Sequence, residues 1–425
     1  MPVAVRSRPD ACPGVFAPHD ASDGALARIR LPGGAISAAA LRVVADCADE
    51  LGDGHLHLTS RGNLQLRGLA RSGALVARLM AAGLLPSVTH ERVRNVLASP
   101  LARIARDPRA RAGVAPAGAV DTRGPGSYSE DRLPRVQAAA AGAVEARGVA
   151  PDVRAMAAAL DRGLCARPGL AELPGRFLFA LDDGRGDVAA EDPDLCWRAG
   201  TLLVAGVPAV EVTAADAVAA LLDAAEAFLA LRAADGGGAW RVAELADAPA
   251  RIAAALHPPA GRCQESHLHG TSRHDGGTSA AVPGPVVRDD GGVALVVAPL
   301  LGELTTAQAR LLADAGPTAV VTPWRTIVLP DPQVSAADLA AAGLVVEPGP
   351  AGDLSACAGR PGCAKALADV RADALAALGH LPAGRVHVSG CQRRCGAPRG
   401  PHLDAVALAG GGYLVDGTVR TDLLA

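Results

Sequence analysis

The sequence predicts a mixed α+β protein in which one pattern of strands and helices occurs twice, each copy joined to a further α/β segment. Three observations carry that expectation. Residues 26–90 and 292–346 share one order of alternating and helical patterns, half of the 425 residues are apolar, and four of nine cysteines crowd into residues 357–395. The length suits two or three domains, each with its own core.

In the first copy, Ala27, Ile29 and Leu31 alternate with Arg28 and Arg30 as a half-buried strand. Ser37 can cap a helix with Leu41, Val44, Ala48 and Leu51 on one face, and Gly52 stands at its C-cap. Leu56 and Leu58 alternate with His55, His57 and Thr59, and a turn at Arg61-Gly62-Asn63 leads to a strand with Leu64 and Leu66. A helix with Leu75, Leu79 and Met80 runs to Gly83, and Ser87 to His90 reads as a closing strand. The order is βαββαβ, the ferredoxin-like unit.

The second copy repeats it. Val293 to Val297 is a strand, Thr305 caps a helix carrying Leu311 and Leu312, and Thr318 to Val321 and Thr326 to Leu329 flank a turn at Thr322-Pro323-Trp324-Arg325. Ser335 opens a short helix and Leu344 to Val346 closes the unit. Arg61 and Arg325 are expected at the same hairpin, and the repeat points to duplication of a larger module. The expected organisation is a first ferredoxin-like half at 15–107, a linker at 108–135, an α/β module at 136–256 and a second linker at 257–291. The second half follows at 292–347, and a cysteine-bearing α/β module at 348–425. His267, His269, His274 and Asp275 in the second linker could bind a metal, although solvated loop histidines are commoner.

Composition narrows the function. Aromatic residues are 2% and the formal net charge is −3, which argues against a nucleic-acid-coating surface. Lys365 is the single lysine among 41 basic residues, so arginine abundance alone says nothing of function. The first residues hold no apolar stretch of signal-peptide length, and the most apolar region, 217–231, contains Asp223 and Glu226. A cytoplasmic protein without a membrane span is expected, and a disulfide framework is not. Cys12, Cys47, Cys165, Cys196 and Cys263 are scattered.

The remaining four read Cys357-x5-Cys363, then 27 residues, then Cys391-x3-Cys395. A helix is expected directly after Cys363, its dipole favouring thiolate there, and Val386 and Val388 mark a strand ending at Gly390. Four thiolates on two such loops can hold an iron–sulfur cube. A structural zinc site is the alternative, but its cysteine pairs favour gaps of two to four residues, and the first gap here is five.

The quartet spacing, the duplicated unit, Thr59-Ser60-Arg61-Gly62-Asn63-Leu64-Gln65 and Arg94-Asn95-Val96 together resemble the sirohaem and [4Fe–4S] sulfite/nitrite reductase superfamily. Within it, the wording of Leu173-Pro174-Gly175-Arg176-Phe177, Phe179-Ala180-Leu181-Asp182-Asp183-Gly184, Thr322 to Arg325, Gly359 to Lys365 and His387 to Cys391 is most similar to the precorrin-3B synthase family. The resemblance implies a monooxygenase of cobalamin biosynthesis. It would convert precorrin-3A to precorrin-3B, hydroxylated and closed to a γ-lactone, with O2 and two reducing equivalents. It implies a [4Fe–4S] cluster on Cys357, Cys363, Cys391 and Cys395, with Cys395 also a possible axial haem ligand. A polycarboxylate macrocycle calls for arginines. Arg61, Gln65, Arg94, Arg176 and Arg325 are the tetrapyrrole-binding candidates, with Arg67 and Arg360 in the same motif segments.

Two departures stand out. The Lys-x-Lys pair of the sulfite reductases corresponds to Arg176 and Leu178, which weakens that reading, and the glycine usual before the last cysteine is Arg394. His387 could lean toward the site, although a packed histidine is commoner. No Gly-x-Gly-x-x-Gly joins a strand to a helix, and Gly410-Gly411-Gly412-Tyr413 is a poor phosphate loop. Electrons from NADH are therefore expected through an external reductase or ferredoxin. No His/carboxylate triad marks the atom that activates O2; cluster, sirohaem and mononuclear iron stay open. A sirohaem-dependent sulfite or nitrite reductase and a non-catalytic electron carrier are the competing functions.

Overall fold

The computed structural model describes residues 12–70, 73–102, 104, 151–256, 281–288 and 291–423. The expected metal-binding histidines and the first linker lie outside these residues. The architecture is mixed α+β, built on four five-stranded sheets.

The first sheet runs His19–Ala21, Gly24–Ile29, Leu64–Leu69, His55–Leu58 and Glu303–Thr305, all antiparallel. The second runs Gly284–Val287, Val293–Val297, Ile327–Leu329, Thr318–Val321 and Ala35–Ser37, also antiparallel. The two copies thus exchange a strand. Ala35–Ser37 of the first closes the sheet of the second, and Glu303–Thr305 returns the exchange. Each exchanged strand runs straight into a helix, because its last residue is the N-cap. The Ser37 hydroxyl accepts from Ala40 N–H at the head of Ala38–Leu51, and Thr305 forms a capping box with Gln308 at the head of Thr306–Asp314. Both helices and the inner faces of both sheets share one core, from Ile29 and Leu64 to Val297 and Ile327.

Two expected strands are absent. Ser87 to His90 is a turn, with the His90 ring bonded to Ser87 Oγ at 2.9 Å and to the Arg167 carbonyl at 3.1 Å. Leu344 to Val346 supplies one bridge, between Val345 and Ala298. In both copies the edge beside the first strand is instead taken by a preceding hairpin strand, His19–Ala21 or Gly284–Val287. A hairpin closes over a few residues, so it outcompetes a strand that must return from beyond a helix. Gly284–Val287 therefore lies inside the segment expected to be a linker.

The third sheet places Val96–Ala98, Phe179–Asp182 and Leu195–Arg198 in parallel, then Thr201–Val204 and Val207–Glu211 antiparallel. Val96–Ala98 had been expected inside the first ferredoxin-like half. The helices Val153–Ala166, Ala217–Ala234 and Ala248–Leu256 pack here, around Phe177, Phe179 and Phe228. The fourth sheet has the same plan: Leu354–Ala356, Val386–Ser389 and Leu403–Ala407 parallel, then Tyr413–Val415 and Thr418–Arg420 antiparallel.

Candidate functional site: a cysteine quartet beside an arginine-walled cavity

Cys357 directly follows the strand Leu354–Ala356, and Cys391 follows Gly390 at the end of Val386–Ser389. Because these strands are parallel neighbours, both cysteine loops leave the same end of the sheet. The loops are laced together. Leu367 N–H donates to the Gly390 carbonyl at 2.8 Å, and Gly390 N–H donates to Cys357 Sγ at 3.1 Å. A side chain at Gly390 would meet Ala366 Cβ at 2.7 Å, so the bare backbone is required there. Cys357, Cys363 and Cys391 are half-buried and Cys395 is exposed; none is in a disulfide. Burial pushes the Cys395 thiol up, Arg393 opposes this, and Cys357, Cys391 and Cys363 raise it further. Four thiols on glycine-containing loops, with a backbone N–H already on one sulfur, fit a [4Fe–4S] cluster.

The helix expected behind Cys363 begins only at Val370, behind the N-cap Asp369. Cys363 therefore does not stand in the first turn of that helix, where the dipole field is concentrated. Arg394 has φ 47°, the left-handed backbone a glycine would adopt. Its Nε pairs with Asp404 at 2.5 Å and its Nη1 donates to Gln392 at 3.2 Å.

A cavity of about 300 Å³ opens where the four sheets' loops meet. Arg61, Arg325, Arg385, Arg394 and Arg399 line it, as does Gly396, so both chain neighbours of Cys395 border the cavity. Glu191 is a half-buried acid among them, with Oε1 accepting from Trp324 Nε1 at 3.0 Å. Burial raises its pKa, against the pull of Arg399. Arg61 is lowered to about 10 by burial, and Arg241 and Arg28 add like-charge pressure. Arg325 is lowered by burial and by Arg371, and its Nη2 donates to the Gly396 carbonyl at 2.7 Å. Gly302 and Gly396 make room for it: a Cβ on either would lie 2.5 or 2.6 Å from the Arg325 side chain.

The two hairpin arginines are not equivalent. In one turn Thr59 N–H bonds the Asn63 carbonyl and Gly62 N–H the Thr59 carbonyl; in the other the pairs are Thr322 with Thr326 and Arg325 with Thr322. Arg325 thus matches Gly62, with φ 60° against 61°, and Arg61 matches Trp324. Both arginines still reach the cavity.

The other candidates divide. Gln65 Oε1 accepts from Arg28 Nη2 at 3.3 Å, on the face of the first sheet opposite its core, and does not line the cavity. Arg94 is consumed elsewhere: it forks onto Asp161 at 2.6 and 2.8 Å and donates to the Leu84 carbonyl at 3.0 Å. Arg176 is exposed, its guanidinium 5.2 Å above the Trp240 ring. Neither lines the cavity. Arg360 Nε holds the Ala366 carbonyl at 2.9 Å within its own loop. His387 is fully buried with Nδ1 on Ser355 Oγ at 2.9 Å, and burial and Arg325 lower it to about 3, so it is a neutral packed histidine. Asp182 is a loop organiser, accepting N–H bonds from Gly184, Gly186 and Ala189 at 2.9, 2.9 and 3.0 Å.

Two residues went unassigned in the sequence, Arg28 and Arg30. They stand on the face opposite Ala27 and Ile29, and Arg30 is only 2% exposed. Arg28 Nε, Arg30 Nε and Arg30 Nη1 are buried without a hydrogen-bond partner among the described residues. Burial, then Arg28, lowers Arg30 to about 9. Buried donors left unpaired beside like charges mark a place for an anion. Two arginines on one face of a strand whose other face is core were the available signal.

Residues 19–81 match the nitrite/sulfite reductase ferredoxin-like half domain. The NirA protein of Mycobacterium tuberculosis superposes with a TM-score of 0.62 at 20% identity, over 92% of this chain and 73% of that one. In sequence, a precorrin-3B synthase from Sinorhizobium sp. is 40% identical over 75 residues, which are 18% of this chain and 16% of that protein. The match spans about a sixth of that relative's length.

Proposed function

We propose that this chain is an oxidoreductase with a [4Fe–4S] cluster on Cys357, Cys363, Cys391 and Cys395, and that it hydroxylates precorrin-3A to precorrin-3B. The observation that carries the reading is the arginine-walled cavity whose rim includes the loop of Cys395. When bound, the cluster supplies single electrons. The chain's own residues do the rest. Arg61, Arg325, Arg385 and Arg399 grip peripheral carboxylates, Arg28 and Arg30 take an anionic group that their unpaired donors await, and Gln65 holds Arg28 in place. A macrocycle so fixed presents one meso carbon in one orientation, which is the requirement for position-selective oxygenation. One oxygen atom of O2 enters the product and the other leaves as water, with two electrons and two protons consumed. NADH-derived electrons would arrive through a ferredoxin or reductase. The partial likeness to a precorrin-3B synthase supports this choice of substrate.

Anaerobic purification followed by iron and sulfide analysis tests the cluster; about four irons per chain and no tetrapyrrole are expected. Precorrin-3A and ¹⁸O2 should then give a product heavier by one labelled oxygen, and an unlabelled product overturns the monooxygenase. Cys395 is exposed, between the lining residues Arg394 and Gly396. A tightly held green tetrapyrrole in the purified protein would favour the sirohaem reductase instead.

A further inference from the structure

Arg67 lies two residues beyond Gln65 on the strand Leu64–Leu69, and it does not enter the cavity. Its guanidinium forks onto Asp23, Nε at 2.8 Å and Nη2 at 3.0 Å, and the same Nη2 donates to the Gly362 carbonyl at 2.7 Å. Ser22 Oγ donates to the Pro361 carbonyl at 3.1 Å. Ser22 and Asp23 form the turn between His19–Ala21 and Gly24–Ile29. One hairpin tip and one strand residue therefore seize the two peptide carbonyls that immediately precede Cys363. A Cβ on Gly362 would lie 3.0 Å from Asp23 Oδ2 and 3.2 Å from Arg67 Nη2, so the grip closes over bare backbone. The Arg67 side chain is 10% exposed, and a forked pair so shielded from water is geometrically exacting.

We propose that Ser22, Asp23 and Arg67 form a latch that fixes Cys363 relative to the arginine cradle of the first sheet. Arg67 is a positioning residue: it acts on Cys363 through Gly362. The strand that carries Gln65, partner of Arg28, also carries the grip on the cysteine loop, so ligand cradle and cysteine quartet are held in one register. The inference rests on reading the four cysteines as one metal-holding set.

The test uses full-length protein, wild type and Arg67→Met, purified anaerobically. Iron loss to excess chelator is timed, and the stripped chains are then alkylated with iodoacetamide and each cysteine is quantified by mass spectrometry. Arg67→Met should alkylate at Cys363 about tenfold faster, with Cys391 and Cys395 unchanged and iron loss faster in step. Asp23→Asn and Ser22→Ala should accelerate Cys363 by smaller factors, and they serve if Arg67→Met folds poorly. Wild-type alkylation at Cys363 in a variant with native circular dichroism, or equal acceleration at all four cysteines, overturns the latch. Absence of iron from the wild type would refute the reading of the quartet, while the alkylation contrast still decides the latch.

Discussion

Arg30 is a residue whose environment works against it. It is buried, beside Arg28, with two of its nitrogens unpaired among the described residues. Such groups weaken the empty protein and are retained where a ligand completes them. Arg30→Met should therefore stabilise the ligand-free chain by about 1–3 kcal/mol in urea titrations, with a matching rise in thermal midpoint. The same variant should bind a polycarboxylate porphyrin more weakly. A variant that is destabilised, or that binds the porphyrin as tightly as wild type, would show that Arg30 is an ordinary structural arginine. Glu303 and His57 act in the opposite sense. Burial pushes Glu303 up, but His57, Arg371 and His55 outweigh it and hold it at about 2. Burial likewise lowers His57, and its bonds to Asp53 and Glu303 more than restore it, to above its ordinary 6.5. Glu303 thus contributes stability that is complete above pH 4.5 and fades as pH falls toward 2. His57 contributes stability that is complete below pH 6.5 and fades as pH rises through its folded value. The junction should be firmest between about pH 4.5 and 6.5, with the Glu303 contribution about 3 kcal/mol. Glu303→Gln should flatten the pH dependence of unfolding on both sides of that window.

At the scale of elements, the exchanged strand Ala35–Ser37 depends on how it is entered. Gly34 has φ 75°, and a Cβ there would lie 2.1 Å from the Val321 carbonyl oxygen, a backbone atom that cannot step aside. Gly34→Ala should cost more than about 2 kcal/mol, several times the usual glycine-to-alanine effect, measured by chemical denaturation. The elements themselves were legible wherever period and cap agreed. Ser37 and Gly52 bracketed Ala38–Leu51 correctly, and Thr305 and Ser335 marked the heads of their helices. The exchange between copies was not legible, because Ala35-Ile36-Ser37 is three residues long and its pairing partner is some 280 positions away. That Arg94 and Arg176 stand away from the cavity was not legible for a related reason. A motif places an arginine near a site, whereas Asp161 and Trp240, which claim these two, are distant in sequence. The cysteine loops were readable from spacing together with the Val386 and Val388 strand pattern; the six residues between Cys363 and the helix Val370–Ala376 were not, because Leu367 mimics a helical position and is exposed.

For the whole molecule, the strand exchange makes the two copies mutually dependent. Neither first nor second sheet is complete without a strand from the other. A fragment of residues 1–256 should therefore be protease-sensitive through its first sheet, and co-expression with residues 281–425 should restore resistance and a single complex on gel filtration. Independent resistance of the first fragment would show that the exchange is dispensable. The registers of the two sheets also make their outer faces directly comparable. Arg28 pairs with Gln65 in the first, where Val296 pairs with Val328 in the second. The first face carries Arg28 and Arg30; the second is capped by Ile104, Ala281, Leu101 and Trp324 as ordinary core. Of the two outer faces only the first carries buried arginine nitrogens without partners among the described residues, so a chain built twice over should admit a single polycarboxylate guest, and calorimetric titration should give a stoichiometry of one rather than two.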